Sequence, residues 1–352
     1  VTLYLDYQAT TPLAPEVRGA MLPWLADKFA NPHSAHKLGR EAAAAVELAR
    51  EQVAALLPSG GRVVFTSGAT EAINLAIKGA GRPRIAALAT EHAAVLDCVA
   101  HLGGVTLPVN AQGLCEDPDF ADAGLFAAMA VNNEIGTIQP VADHARVAHA
   151  AGALYLCDAV QAYGRMPIPE GPDLIAVSAH KIHGPKGVGA LWVRDGVALE
   201  PLIHGGGQEQ GLRSGTLSPA LCAGFGAAAA VAAGRMEADA AHAAALWNRA
   251  VSLFPGWMIN GSVAHRYLGN LNIRRDGVDV ARLMSEVRDV MFSAGSACAS
   301  GSGRPSHVLR AIGLSDREAR SSIRLGFGRY TTIDEIERAA AAINAAAVRQ
   351  LG

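Results

Sequence analysis

The stretch Leu174-Ile175-Ala176-Val177-Ser178-Ala179-His180-Lys181 decides how the chain reads. Its first four residues are an apolar run of the length of a buried strand, and it ends in a lysine. A charged amine at the end of a buried strand costs free energy unless it finds a partner. Partial burial lowers a lysine's pKa, and the neutral amine attacks carbonyl carbon to form a Schiff base. Taken alone, Lys181 fits equally a plain lysine at an exposed strand end. The flanking sequence has to choose.

Working outward, short apolar runs recur at 63–65, 85–89, 126–131, 153–157 and 188–193, with helix-like segments between them. Such alternation predicts an α/β domain with a mostly parallel sheet. The ends of these runs are polar. Thr66-Ser67-Gly68-Ala69-Thr70-Glu71 follows the first, Thr90-Glu91-His92 the second, Asn132-Asn133-Glu134 the third and Asp158-Ala159-Val160-Gln161 the fourth. With Ser178 to Lys181, five successive runs end this way, and ligands of open α/β sheets bind outside the carboxyl ends of the strands. One shared pocket is the expectation. Ahead of the runs, residues 3–12 read as a short strand running into a polar turn. Residues 36–57 read as an amphipathic helix through Leu38, Ala42, Val46, Ala49, Val53 and Leu56.

Composition narrows the class. A chain of 352 residues, half of them apolar, can bury a large core and is expected to form two domains. A net charge of -2 without a dense Lys/Arg run gives nucleic acid no footprint. The five cysteines are odd in number and widely spaced, with no CxxC pair, which argues against a disulfide framework and a structural metal. No signal peptide is recognisable, and the apolar stretch 219–233 reads as too short to span a bilayer. The expectation is a soluble, cytoplasmic protein that binds neither nucleic acid nor membrane.

Ser67-Gly68-Ala69-Thr70 opens a helix after a strand, where backbone N–H groups and the helix dipole favour a phosphate. It is neither a Walker A loop nor GxGxxG, and a plain capped turn remains open for it. Asp158 and Lys181, at the ends of successive strands, suggest pyridoxal phosphate, which needs a Schiff-base lysine, a carboxylate on its ring nitrogen and a phosphate cup. His92 suits the ring face. Gln161 and Asn133 suit the ring hydroxyl or the substrate.

Past residue 198 the chain changes character. Residues 205–216 form a long glycine-rich polar loop, 219–250 read as a long alanine-rich helix, 268–273 as a strand and Val280–Glu286 as a helix of a second domain. Residues 293–303 are small throughout except for Cys298 in their midst. A thiol on a flexible loop suits a nucleophile that must travel, although an incidental cysteine has the same look. Arg324 offers a planar fork for a carboxylate, or else a surface ion pair.

With these residues in view, the chain resembles the cysteine desulfurases of the NifS/IscS type, among the class-V aminotransferase-like, fold-type I pyridoxal-phosphate enzymes. The matching motifs run along almost its whole length: 5–12, 31–34, 66–71, 131–136, 158–161, 178–187, 213–216, 293–300 and 321–329. The resemblance implies a large domain (13–245) with a mostly parallel seven-stranded sheet between helices. A smaller α+β domain (1–12 and 246–352) would carry the cysteine loop. It implies Lys181 as the Schiff-base lysine, Asp158 on the pyridine nitrogen, His92 stacked on the ring and moving protons, and Gln161 near the ring hydroxyl. Ala69, Thr70, Ser178 and His180 would hold the phosphate, with Thr216 reaching in from the second subunit of a homodimer. Asn31, Asn133 and Arg324 would bind the carboxylate of L-cysteine. Cys298 would take the sulfur as a persulfide, leaving alanine, and pass it to an acceptor (a scaffold or SufE-like protein) for iron–sulfur cluster assembly or thio-modification. Ala93 and Gln210 depart from lysine and arginine found in some relatives, and the chain ends at Gly352 without the tail that some use for docking. A selenocysteine lyase or cysteine sulfinate-type activity in much the same pocket, an aminotransferase, which would not need Cys298, and a catalytically silent scaffold are the rival readings.

Overall fold

The computed structural model describes residues 2–119, 122–294 and 305–352. The chain opens with β1 (Leu3–Tyr4), α1 (Pro15–Leu25), α2 (Lys37–Ala54), β2 (Gly61–Thr66) and α3 (Ala69–Gly79). Next come β3 (Ile85–Leu88), α4 (Ala93–His101), β4 (Val105–Leu107), β5 (Leu125–Met129), α5 (Val141–Ala150), β6 (Leu154–Asp158), β7 (Leu174–Ser178) and β8 (Gly189–Arg194). After α6 (Pro219–Leu253) follow β9 (Met258–Ile259), β10 (Asn270–Arg274), α7 (Val280–Glu286) and β11 (Val290–Met291). The chain closes with α8 (His307–Ala311), α9 (Asp316–Arg320), β12 (Ser322–Gly326) and α10 (Ile333–Leu351).

Seven strands form one sheet in the order β2-β8-β7-β6-β5-β3-β4. Only β8 runs against its neighbours, pairing antiparallel with both β2 and β7, so the sheet is mostly parallel as expected. Alternate residues of each strand face opposite ways, and both faces are buried, which explains the near-continuous apolar runs. Phe65, Phe126, Tyr155, Cys157, Val177 and Trp192 pack toward α1, α2, α5 and α6. Val64, Ala87, Leu125, Leu156, Ala176 and Leu191 pack toward α3 and α4. All six apolar runs read from the sequence are strands. The seventh, β4, went unread because it is a three-residue edge strand with two exposed positions.

A second core gathers Leu3 and Leu5 with Leu246, Leu271, Ile273, Val280, Leu283, Ile323, Leu325, Phe327, Ile336 and Ile343. It lies on the three-stranded antiparallel sheet β12-β10-β9 and the parallel pair of β1 with β11. The first residues of the chain thus fold with the last third. As expected of 3–12, a short strand of two residues runs into a turn, with an isolated bridge between Asp6 and Gly326.

Two helices differ from the sequence reading. Leu38 is exposed, and the buried face of α2 is instead Gly39, Ala42, Val46, Ala49 and Val53. α6 runs unbroken for 35 residues, which makes it long and apolar enough to cross a membrane by length and composition, contrary to the reading of 219–233. In the fold, Ala220, Cys222, Phe225, Ala228, Ala229 and Ala232 are buried in the core, and α6 lies so close to α2 that a Cβ on Gly226 would stand 2.6 Å from the Ala49 Cα.

Gly189 opens β8 between Thr66 and Ser178. A Cβ there would meet the Val177 carbonyl oxygen at 2.6 Å and the Gly68 backbone at 2.8 Å. Backbone in a seven-stranded sheet cannot step aside, so Gly189→Ala is expected to destabilise the protein by about 1–3 kcal/mol, read as a lower urea midpoint with an unchanged m-value.

Candidate active site

A cavity of about 870 Å³ opens at the carboxyl ends of the parallel strands. Its wall includes Ala69 and Thr70 after β2, His92 after β3, Asn133 after β5, Asp158 and Gln161 at the end of β6, Ser178, His180 and Lys181 after β7, and Arg324 from β12. Ten of the thirteen residues singled out in the sequence therefore meet at one place. Asn31 and Thr216 do not. Asn31 is exposed, its side-chain oxygen accepting from the His33 N–H at 2.8 Å, and Thr216 lies outside the cavity wall. Cys298, with the mobility expected of its loop, lies outside the described residues.

The lysine amine is held by backbone. Lys181 Nζ donates to the carbonyls of Gln8 and Ala9, at 2.6 and 2.8 Å. The turn that carries it is tied to the same segment. The Thr11 hydroxyl donates to the His180 carbonyl at 2.9 Å and accepts from the His183 N–H at 2.7 Å, while the Thr11 N–H also reaches the His180 carbonyl. Burial, then the Arg165 and Arg324 charges, bring the Lys181 amine down to about 8, against the opposite pull of Asp158 and Asp6. His180 is pushed down to about 4 by burial and by Lys181, Lys186 and Arg165, so its ring is neutral at pH 7 and meets the Thr10 hydroxyl at 3.1 Å.

Asp158 Oδ1 accepts from the Val160 N–H at 2.9 Å. Burial raises its pKa, while that bond and the His92 and Lys181 charges work the other way. A carboxylate in so dry a place calls for a cationic N–H partner from a ligand. Elsewhere on the cavity wall, Gly68 starts α3 without any side-chain cap, so most of the first-turn N–H groups of that helix are left for an anion. Arg324 is almost fully buried. It donates to Asp6 Oδ1 (2.7 Å), the Ser293 hydroxyl (3.1 Å) and the Asn133 carbonyl (3.0 Å), and its buried Nε has no partner among the described residues. Buried carboxylate, buried amine, open helix N-terminus and an arginine on the cavity wall are the donor set that pyridoxal phosphate and an amino-acid carboxylate require. The residues fit the cofactor.

Sequence reasoning missed several groups here. The Gln8 and Ala9 carbonyls leave no trace in side-chain patterns. Glu91 is fully buried beside Asp158, and burial followed by the Asp158 charge raises its pKa well above the usual carboxylate range. His307, whose ring meets the Glu91 carbonyl at 2.9 Å, and the exposed Lys186 and Arg310 also line the cavity. The four described cysteines, Cys98, Cys115, Cys157 and Cys222, are buried free thiols, and burial pushes Cys222 up to about 12. Such thiols are poor nucleophiles.

Thr11→Val keeps the shape of the side chain and removes both hydroxyl bonds to the lysine turn. Leaving the buried His183 N–H unpaired is expected to cost about 1–3 kcal/mol, measured by urea unfolding, and to weaken cofactor retention on gel filtration.

The sequence pattern of the aminotransferase class-V family matches residues 3–339. A cysteine desulfurase IscS of Rickettsia akari is 43% identical over 96% of this chain and 89% of its own length. Among solved structures, a NifS-like protein superposes with a TM-score of 0.89 at 32% identity, covering 98% of this chain and 99% of that one. A structure described as SspA in complex with cysteine gives a TM-score of 0.82 at 35% identity, over 94% of this chain and 100% of that one. The chain belongs to the class-V aminotransferase family, among the cysteine desulfurases of the NifS/IscS type.

Proposed function

We propose that this protein is a pyridoxal-phosphate-dependent cysteine desulfurase, converting L-cysteine to L-alanine and leaving the sulfur as a persulfide on Cys298. The observation that carries this reading is the meeting of Lys181, Asp158, His92, the α3 N-terminus and Arg324 around one cavity. Bound pyridoxal phosphate supplies an electrophilic carbon for the substrate amine and a ring that accepts electrons as bonds at the substrate's carbons break. Asp158 would pair with the ring nitrogen, keeping it protonated. Ala69, Thr70, Ser178 and His180 would hold the phosphate, and Gln161 would meet the ring hydroxyl. Lys181 would be the covalent attachment point, freed when substrate arrives, and His92 would carry protons beside it.

Arg324 would receive the substrate carboxylate from the cavity wall, with Asn133 beside it. In the sulfur-transfer step the Cys298 thiolate attacks the substrate sulfur. An S–S bond forms, the C–S bond breaks, and the electron pair left on carbon is finally protonated to give alanine. An external thiol then reduces the persulfide and releases sulfide. Within the cell the sulfur would pass to a scaffold or SufE-like acceptor for iron–sulfur cluster assembly or thio-modification.

The same reading makes the protein a cytoplasmic homodimer. Thr216 and Asn31 lie off the cavity of their own chain, and Leu22, Leu25 and Phe29, just before Asn31, are 54, 66 and 81% exposed. A second copy would cover that apolar run, and in the homodimer Thr216 would reach the partner's phosphate site. The division into a cofactor-binding unit (13–245) and a unit of 1–12 with 246–352 belongs to this proposal as well.

Incubation with L-cysteine and a reducing thiol is expected to yield alanine and sulfide in equal amounts. Cys298→Ala should lose sulfide release while still binding the cofactor, and equal activity in that variant would leave Cys298 without a role. Arg324→Lys removes charged hydrogen bonds worth about 1.5–3 kcal/mol, so KM for cysteine should rise roughly tenfold to a hundredfold.

A further inference from the structure

Arg165 sits behind the cavity in the turn after β6, where neither the sequence motifs nor the proposed mechanism uses it. Its guanidinium reaches several parts of the site at once. One terminal nitrogen donates to the Lys181 carbonyl at 2.7 Å and reaches the Tyr7 carbonyl at 3.5 Å. The other donates to Gln161 Oε1 at 2.7 Å. Its plane lies over the Tyr267 ring, 5.3 Å from the centroid. Among the described residues no carboxylate pairs with it, so its charge is not cancelled locally.

Two consequences follow from the chemistry of the group. A guanidinium has donors and no acceptor, so the Gln161 amide must turn its oxygen toward Arg165. The amide nitrogen then faces the other way, where it donates to the Gln8 carbonyl at 3.0 Å. That nitrogen carries a second N–H, which would suit an oxygen acceptor on a bound ligand. The second consequence is electrostatic, because an uncancelled cation near Lys181 disfavours a second positive charge on the amine.

We propose that Arg165 is a positioning residue of this site, fixing the Lys181 turn and the Gln161 amide and holding an uncancelled positive charge behind the lysine amine. The proposal deepens the reading of the cavity given above and rests on it for the role of Gln161. The charged groups facing the Lys181 amine are Arg165 and Arg324 on one side of the balance and Asp158 and Asp6 on the other, with burial adding to the first. Because burial and these cations bring the amine to about 8, a useful fraction of it is neutral near pH 7.5. Removing the Arg165 charge raises the midpoint toward that of an ordinary lysine, so less neutral amine exists at the same pH.

The test is competitive labelling of the cofactor-free, full-length chain with acetic anhydride across neutral and alkaline pH. The peptide bearing Lys181 is quantified by mass spectrometry against exposed Lys28. In the wild type, Lys181 should label with a midpoint near 8. Arg165→Gln should label Lys181 roughly tenfold more slowly at pH 7.5, the change that one pKa unit produces, while Arg165→Lys, which keeps the charge, should stay close to wild type. A merely structural role would leave the midpoint unmoved in any variant that still unfolds cooperatively. The proposal is overturned if wild-type Lys181 titrates with Lys28, or if Arg165→Gln matches the wild type. If Arg165→Gln does not fold, an Arg165→Lys profile indistinguishable from that of Lys28 overturns it. Because the labelling needs no cofactor, it separates this proposal from the functional reading, which fails independently if the wild type does not take up pyridoxal phosphate by absorbance.

Discussion

The structure depends on how it accommodates an amine at the end of a buried strand. β7 is buried along its whole length, and Lys181 follows it after one short turn. The carbonyls of Gln8 and Ala9 supply the hydrogen bonds that water would otherwise provide. Those two residues belong to a segment with several other obligations. Leu3 and Leu5 lie in the C-terminal core, Asp6 holds Arg324, and Thr11 holds the lysine turn. One extended stretch therefore fixes both the group that would bond the cofactor and the group that would bind the substrate carboxylate, with residue numbers 143 apart (324 − 181).

That arrangement explains why two cores serve one site. The seven-stranded sheet delivers polar side chains at its carboxyl edge, and the small antiparallel sheet delivers Arg324 from β12. Between them the Asp6–Gly326 bridge and the Gln8 side chain, which donates to the Gly269 carbonyl, stitch the two together. The long loop before α6 is anchored in turn. Glu209 accepts from Arg50 and from the Phe65 N–H at 2.7 Å, and Arg213 pairs with Glu71 in the first turn of α3. Both anchors flank the turn between β2 and α3, so the loop ahead of Thr216 is tied to that turn of its own chain.

Much of this is legible in the sequence, and the reason is physical. Strands buried on both faces must be apolar, so their polar successors stand out, and the amino-acid pattern alone puts Asp158, His92 and Lys181 at strand ends. What the pattern hides is of another kind. Gln8 and Ala9 act through backbone carbonyls, which every residue possesses. Arg165 lies in a turn, where an arginine reads as solvent-exposed, and its packing against Tyr267 depends on a contact across about a hundred residues. Glu91 reads as one polar residue among three, although its carboxyl is fully buried beside Asp158. Leu38 has the right spacing for a core face, yet at the first turn of α2 it stays 47% exposed. Thr216 carries a motif whose expected role needs a second chain, which no periodicity within one chain expresses.

The most direct measurement is the chemical identity of the lysine that bonds the cofactor. Reconstitution with pyridoxal phosphate, reduction with borohydride and peptide mapping would locate the pyridoxyl group. Two lysines line the cavity, the amine held on the Gln8 and Ala9 carbonyls and the exposed Lys186. The account predicts the pyridoxyl group on Lys181 alone. Modification of Lys186, or of neither lysine, would contradict it.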